Sequence, residues 1–170
     1  MKRWRSAIIF ASLVALVVLA GPREEGWKKV DEAMKKGLPK TAVEELETII
    51  KGALKEKAYG EALKAICRKI VLEANIQGNK PEEKITRLQA EIARAPEEIK
   101  PLMEAILANW FWHYFQQNRW RFLQRTQTAV PPGKDFTAWD LATILKEISR
   151  HFDLALAAEK KLKETPVSAY

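Results

Sequence analysis

The sequence predicts an all-α fold, and three observations lead to this prediction. Almost every window after Gly26 spaces apolar residues three and four positions apart, as on one face of a helix. No window of useful length alternates with the two-residue period of a strand. Glycine and proline divide the periodic stretches into segments of helical length. We therefore expect about six helices, arranged as antiparallel hairpins and closed by an aromatic-rich central helix.

The start of the chain has the composition of a secretory signal peptide. Lys2, Arg3 and Arg5 precede an uncharged stretch from Ala7 to Ala20. This stretch is short for a membrane span, which needs roughly 20 apolar residues. We expect cleavage after Ala20 and export to the periplasm or cell envelope. The alternative is an uncleaved signal, which would be the only contact with a membrane.

The expected organisation follows from this start. It comprises a signal peptide at 1–20, a short linker at 21–25, a single helical domain at 26–165 and a tail at 166–170. The whole chain has a net charge of +7, and residues 1–20 hold three basic residues and no acidic one, so the mature chain carries +4. Its charges are interleaved without a block of like sign, which is typical of a solvated surface.

Turn residues predict the boundaries of the early helices. Gly37-Leu38-Pro39 should end a first helix and start a second, because glycine ends helices and proline fits a first turn. Thr41 and Glu44 could form a capping box. The second helix should reach about Lys55, the third should run from about Ala58 to Asn75, and the fourth from Pro81 to about Ala95.

The first three helices resemble degenerate tetratricopeptide units, which bury a face only by stacking. The resemblance depends on the order of Trp27, Ala33, Gly37, Ala42, Leu46 and Ile49.

Cys67 is the only cysteine, so it cannot form an intramolecular disulfide. Apolar residues surround it at helical spacing, which favours a buried structural thiol.

The aromatic segment from Leu107 to Thr128 is the predicted centre of the fold. We expect it to form the distal part of a fifth helix that begins at Pro96. Because apolar residues occupy more than one side, neighbours should cover more than one side. Replacing Phe111 or Trp120 by alanine should then cost about 3–5 kcal/mol.

A last helix should follow the break at Val130-Pro131-Pro132-Gly133, which contains two prolines and a glycine. It should begin near Thr137, with Thr137 or Asp135 as its cap. Its apolar residues, from Trp139 to Leu156, recur at helical spacing.

No residue pattern indicates catalysis. His113 and His151 lie among aromatic or apolar neighbours, as core or edge histidines do, and no paired cysteines or zinc motif accompany them. No glycine-rich loop could hold a phosphate. We therefore expect no enzyme activity, no cofactor and no metal.

A candidate docking surface is predicted around the aromatic segment. Its arginines could bind a partner, or they could lie on aromatic rings and bind carbonyl groups within the fold. The segment Asn118–Arg121 could stack on bases, but export and the modest charge argue against nucleic acid as a partner. The candidate residues are Trp110, Trp112, Asn118, Arg119, Arg121, Arg125 and Trp139.

Four segments, in this order, resemble the N-terminal helical region of bacterial alpha-2-macroglobulin-like proteins. They are Trp27–Asp31, Lys36–Ala42, Gln116–Arg121 and Thr137–Leu141. The resemblance covers most of residues 26–165. It implies an exported protein related to protease traps, which enclose a protease after it cuts a bait segment.

The chain departs from that family in two respects. Cys67-Arg68-Lys69-Ile70 does not match the family's Cys-x-Glu-Gln thioester, and the sequence has no bait segment or macroglobulin sandwich domain. We therefore expect a non-catalytic interaction domain, either an accessory part of a longer product or a truncated relative, docking on downstream domains or on another protein. The alternative is a free-standing envelope scaffold that binds a peptide or protein in a helical groove.

Overall fold

The all-α prediction is confirmed by the computed structural model, which describes residues 23–78, 80–126 and 133–164. Within these ranges the regular elements are all helical. They are α1 (Glu24–Lys35), α2 (Pro39–Lys55), α3 (Tyr59–Ile76), α4 (Pro81–Arg94), α5 (Lys100–Gln117), α6 (Arg119–Gln124), a 3-10 helix (Phe136–Ala138), α7 (Leu141–Leu156) and α8 (Glu159–Glu164). The predicted signal peptide and tail lie outside the described residues, and α1 begins within the segment 21–25 that was predicted as a linker.

Helices that follow one another along the chain pack side by side as a series of hairpins. The order of packing is α1, α2, α3, α4, α5 and then α7. A smaller core joins α1, α2 and α3 through residues such as Val30 and Leu46. The larger core extends from α3 to α7, and Phe111 of α5 lies fully buried within it.

The first two hairpin turns share one construction. Gly37 and Lys57 both adopt left-handed backbone conformations, with φ of 69° and 58°. In each turn the next amide donates back into the finished helix, from Leu38 to Ala33 at 2.9 Å and from Ala58 to the carbonyl of Ala53 at 2.8 Å. The predicted stop and restart at Gly37–Pro39 is therefore confirmed.

The predicted capping box between Thr41 and Glu44 is wrong. Leu38 is the residue that precedes α2, and it makes no side-chain capping bond. Thr41 already lies within the first turn of α2. Pro39 explains the earlier start, because a proline at the first helical position lacks the N–H that would otherwise need a cap.

The aromatic segment is two helices rather than one. The main helix α5 begins at Lys100 rather than at Pro96, and it ends at Gln117. Asn118 separates the two helices. Its side-chain amide donates to the carbonyl of Tyr114 at 2.9 Å, and α6 begins at Arg119. Trp120 on α6 is 72% exposed, so the prediction that it is buried is wrong.

The last long helix begins at Leu141, later than predicted. Asp135 does act as a cap, but for the 3-10 helix, accepting from the Thr137 amide at 3.0 Å. The cap of α7 is Asp140, whose carboxylate accepts from the amide of Thr143 at 2.7 Å.

Candidate functional site

An open groove lies between α2 and α4. We call it the α2–α4 groove, and its volume is about 300 Å³. Its floor is apolar and includes Ile50 and Leu54 of α2 and the buried Ile66 and Ile99. Charged residues form its rim: Glu47, Lys51, Lys69, Glu91 and Arg94. The remaining lining residues are Ala95 and Pro96.

An ionic network joins the three helices that form the groove. The Lys69 ammonium lies 3.2 Å from a carboxylate oxygen of Glu47 and 3.8 Å from one of Glu91. Lys69 and Glu91 have side chains only 12% and 13% exposed, so water screens this pair weakly. The Arg94 guanidinium donates to both oxygens of Glu91, and this hydrogen bond raises the pKa of Arg94. The network therefore holds α2, α3 and α4 at a fixed spacing.

Two rim cations point to the groove's binding preference. Arg94 is 68% exposed although it is paired with Glu91. Lys51 is exposed and forms no ion pair with another described residue. The rim has three basic and two acidic residues, and the lining has no serine, threonine, cysteine, histidine or tyrosine. This arrangement suits the binding of an apolar group that carries negative charge.

Trp110, a predicted docking residue, lines a second cavity of about 280 Å³. This cavity lies where α3, α4 and α5 meet, and its wall also includes Lys84, His113 and Gln117. His113 is exposed at the edge of this cavity. The structure therefore separates Trp110 from the α2–α4 groove.

The other predicted docking residues divide into structural and exposed groups. Trp139 is buried, and its indole N–H donates to the Gly133 carbonyl at 2.7 Å. Arg125 donates to the carbonyls of Thr137 and Trp139, at 2.6 and 2.8 Å. These contacts confirm the interpretation of Arg125 as a residue that stabilises the fold.

Arg121 and Asn118 also serve the fold directly. The Arg121 guanidinium donates to the hydroxyl of Tyr114 and lies over the ring of Phe122. Asn118 ends α5, as described above. The exposed members of the predicted surface are Arg119 and Trp112.

His151 lies in the core between two carboxylates. Its Nδ1 contacts Glu104 of α5, its Nε2 lies 3.2 Å from Glu147, and its ring stacks on Phe111. Arg150 donates to both oxygens of Glu147, and these bonds hold the pKa of Glu147 below its ordinary range. This confirms the prediction of a partnered core histidine, whose contacts join α5 to α7.

Comparison with known proteins found no match for this chain. No protein-family model matches the sequence, and neither curated proteins nor solved structures include a significant match. Function must therefore be argued from the site itself.

Two further findings concern the described residues only. No group of histidine, cysteine, aspartate and glutamate side chains among them is arranged to hold a metal ion. None of their helices combines the length and apolar character that crossing a bilayer requires.

Sequence reasoning missed the α2–α4 groove, because we interpreted its charged residues as part of a solvated surface. One signal was present in α3. Lys69 follows the buried Ile66 by three positions and precedes the buried Ile70, so it adjoins the apolar face of the helix. A lysine there requires a partner, and the structure supplies Glu47 and Glu91.

Proposed function

We propose that this protein is a non-catalytic interaction domain that binds a peptide segment of another protein in the α2–α4 groove. The observation that supports this proposal is the combination of an apolar floor with a charged rim, held open by the network around Lys69. A groove of this kind gains affinity from apolar side chains and specificity from a few placed charges. Tetratricopeptide-like stacking of α1 to α4 is part of the proposal.

The preferred segment would be apolar with acidic neighbours. The apolar side chain would contact Ile50 and Leu54, which line the groove and are partly exposed. Acidic side chains would approach Lys51 and Arg94, whose charged ends are open to solvent. Glu91 already accepts from the Nε and Nη2 groups of Arg94, so an acidic side chain of the peptide would approach the Nη1 end of this guanidinium.

Selection of random peptides displayed on phage would test this function. We expect enriched peptides to place leucine, isoleucine or phenylalanine beside aspartate or glutamate. The affinity of one selected peptide would then be measured by fluorescence anisotropy. Reversing both rim charges, with Lys51→Glu and Arg94→Glu, should weaken binding by at least about tenfold, which corresponds to about 1.4 kcal/mol.

The matched control reverses two exposed lysines outside the groove, with Lys134→Glu and Lys160→Glu. It changes the net charge equally and should leave binding unchanged. Equal loss in both double variants would mean that the protein attracts acidic peptides only through its overall charge. If the selected peptides bind the wild type and both double variants with equal affinity, the binding surface lies outside the α2–α4 groove.

A second candidate function follows from the resemblance to alpha-2-macroglobulin-like proteins. In this proposal the chain is an exported accessory domain of a protease-trap protein and docks on its other domains. Exposed apolar side chains on α5 and α6 favour it: Trp112, Trp120 and Leu123 are 41%, 72% and 50% exposed. Blotting of envelope fractions with an antibody against residues 26–165 tests it. A product several times larger than this chain supports the trap, and a product near the size of the 19.4 kDa chain supports the free-standing scaffold.

A further inference from the structure

Helix α7 carries an exposed apolar stripe beside the face that it buries. Leu145, Phe152 and Leu156 are 37%, 42% and 63% exposed. At 3.6 residues per turn these three side chains and Ser149 lie within about 60° of one another around the helix axis. The buried face, formed by Ile144, Ile148, His151 and Ala155, adjoins the stripe. No described element covers the stripe.

The stripe continues onto α5. Contacts of α7 with α5 indicate that the two helices run antiparallel. His151, in the second half of α7, contacts both Glu104 and Phe111, whereas Trp139, just before α7, stacks on Phe111. In such a pair, helical geometry places Trp112 on the same side as Leu145. Trp112 therefore extends the uncovered apolar area from α7 onto α5.

Two charges flank the stripe at a spacing that matches a second copy of the same helix. Lys146 and Asp153 lie on the same edge of the stripe, seven residues apart, and neither forms an ion pair with another described residue. In a two-fold antiparallel pair of α7 helices, the same edge of each helix meets its copy. Lys146 then faces Asp153 of the second copy on both sides of the two-fold axis.

The register that pairs these charges also brings the apolar residues close together. With Lys146 level with Asp153 of the second copy, Ser149 lies within half a residue of the two-fold axis, and Leu145 lies about 3 Å along the helix axis from Phe152 of the second copy, within reach of these long side chains. Serine is small, so the two helix axes can approach closely at that point. One register therefore satisfies the charges, the large side chains and the crossing point together, and it does so for two identical helices.

We propose that a second copy of this chain docks on the α7 stripe and forms a two-fold antiparallel dimer. This interface is separate from the α2–α4 groove and does not depend on the function proposed there. The helix of 16 residues is about 24 Å long, so the interface is small. We expect a dissociation constant on the order of 1–100 µM, as for other small interfaces.

Sedimentation velocity of the protein as isolated from cells, over a range of concentrations, tests the dimer. Phe152→Glu places a charge in the apolar stripe that the second copy would cover, and should weaken the dimer at least about 100-fold. Leu154→Glu is the matched control, because Leu154 is 43% exposed on the opposite side of α7. It should leave the dimer unchanged.

The charge pairing has its own test. Lys146→Glu and Asp153→Lys each place like charges opposite one another, so each should weaken the dimer several-fold. The double variant restores opposite charges and should recover the affinity. A double variant no better than the singles would overturn the proposed register.

Cross-linking tests the symmetry directly. Ser149→Cys, in a Cys67→Ala background, should form a disulfide between two copies under mild oxidation, because both thiols lie at the two-fold axis. A dimer that survives Phe152→Glu would overturn the proposal. A protein that is monomeric at millimolar concentration would also overturn it. The same holds for a protein that dimerises only after residues 165–170 are removed, because the tail rather than a second copy would then cover the stripe.

Discussion

Replacing Phe111 by alanine should be among the most destabilising single changes in the larger core. Phe111 is fully buried on α5. Its ring lies 5.3 Å from the ring of Phe136, 6.0 Å from that of Trp139 and 5.6 Å from that of His151, centroid to centroid. The change therefore removes contacts with the 3-10 helix, with Trp139 just before α7, and with α7 itself.

The expected cost combines the lost burial of the ring with the cavity that remains. For buried phenylalanine this amounts to about 3–5 kcal/mol. Phe111→Leu keeps most of the volume but removes the ring contacts, and it should cost about 1–1.5 kcal/mol. In a domain of this size a loss of 3–5 kcal/mol lowers the melting temperature by roughly 10 °C.

Urea unfolding followed by circular dichroism at the helical band measures these free energies. Trp120→Ala is the control, because it removes a larger ring from the same aromatic segment at an exposed position. It should change the free energy of unfolding by no more than about 0.5 kcal/mol. Equal losses for Phe111→Ala and Trp120→Ala would show that α5 and α6 form one evenly buried helix, and would refute the break at Asn118.

Three further changes test particular contacts. Arg125→Ala leaves the carbonyls of Thr137 and Trp139 without their donor, and urea unfolding should show a loss of about 1.5–3 kcal/mol, whereas the exposed Arg119→Ala should cost almost nothing. Lys57→Gly relieves a left-handed backbone and should raise stability by about 0.5–1 kcal/mol; a lower melting temperature would contradict this expectation. Because the pKa of Glu147 is lowered in the fold, its contribution is present above the unfolded value of roughly 4.3 and is lost as the pH falls through the folded value. The urea midpoint of the wild type should therefore fall more steeply between about pH 5 and pH 3 than that of Glu147→Gln.

The parts of the fold that the sequence predicted correctly depend on strong local signals. Gly37 and Pro39 marked the first turn because each has a conformational restriction that few other residues share. The second turn was also predicted correctly, between about Lys55 and Ala58, although Lys57, which adopts the left-handed conformation there, carries no such signal. The break at Asn118 was missed, because the apolar periodicity continues through it to Phe122.

The site was harder to predict than the fold because it is assembled from three helices. Glu47, Lys69 and Glu91 are separated by about 20 residues each. Glu47 and Glu91 alone have the pattern of solvated charges, and the position of Lys69 beside buried residues of α3 indicates that it needs a partner without identifying one. Only the stacking of α2, α3 and α4 brings them together and excludes water from Lys69. Conversely, the sequence left Trp139 and Arg125 as candidates for a docking surface as well as for the fold, because their backbone partners, Gly133 and Thr137, carry no sequence signal for a hydrogen bond.

A dimer formed through α7 would affect binding in the α2–α4 groove, although the dimer interface makes no contact with this groove. The groove is formed by α2, α3, α4 and the turn after α4, whereas the stripe lies on α7, so the two surfaces share no residue. Two linked grooves bind a surface that displays many peptides more tightly than one groove does, typically by 10²–10⁴. Phe152→Glu should therefore weaken binding to a densely immobilised peptide while leaving the affinity for the free peptide unchanged. Surface plasmon resonance at high and low peptide density would measure the difference, and an equal effect at both densities would show that the two surfaces are coupled through the fold.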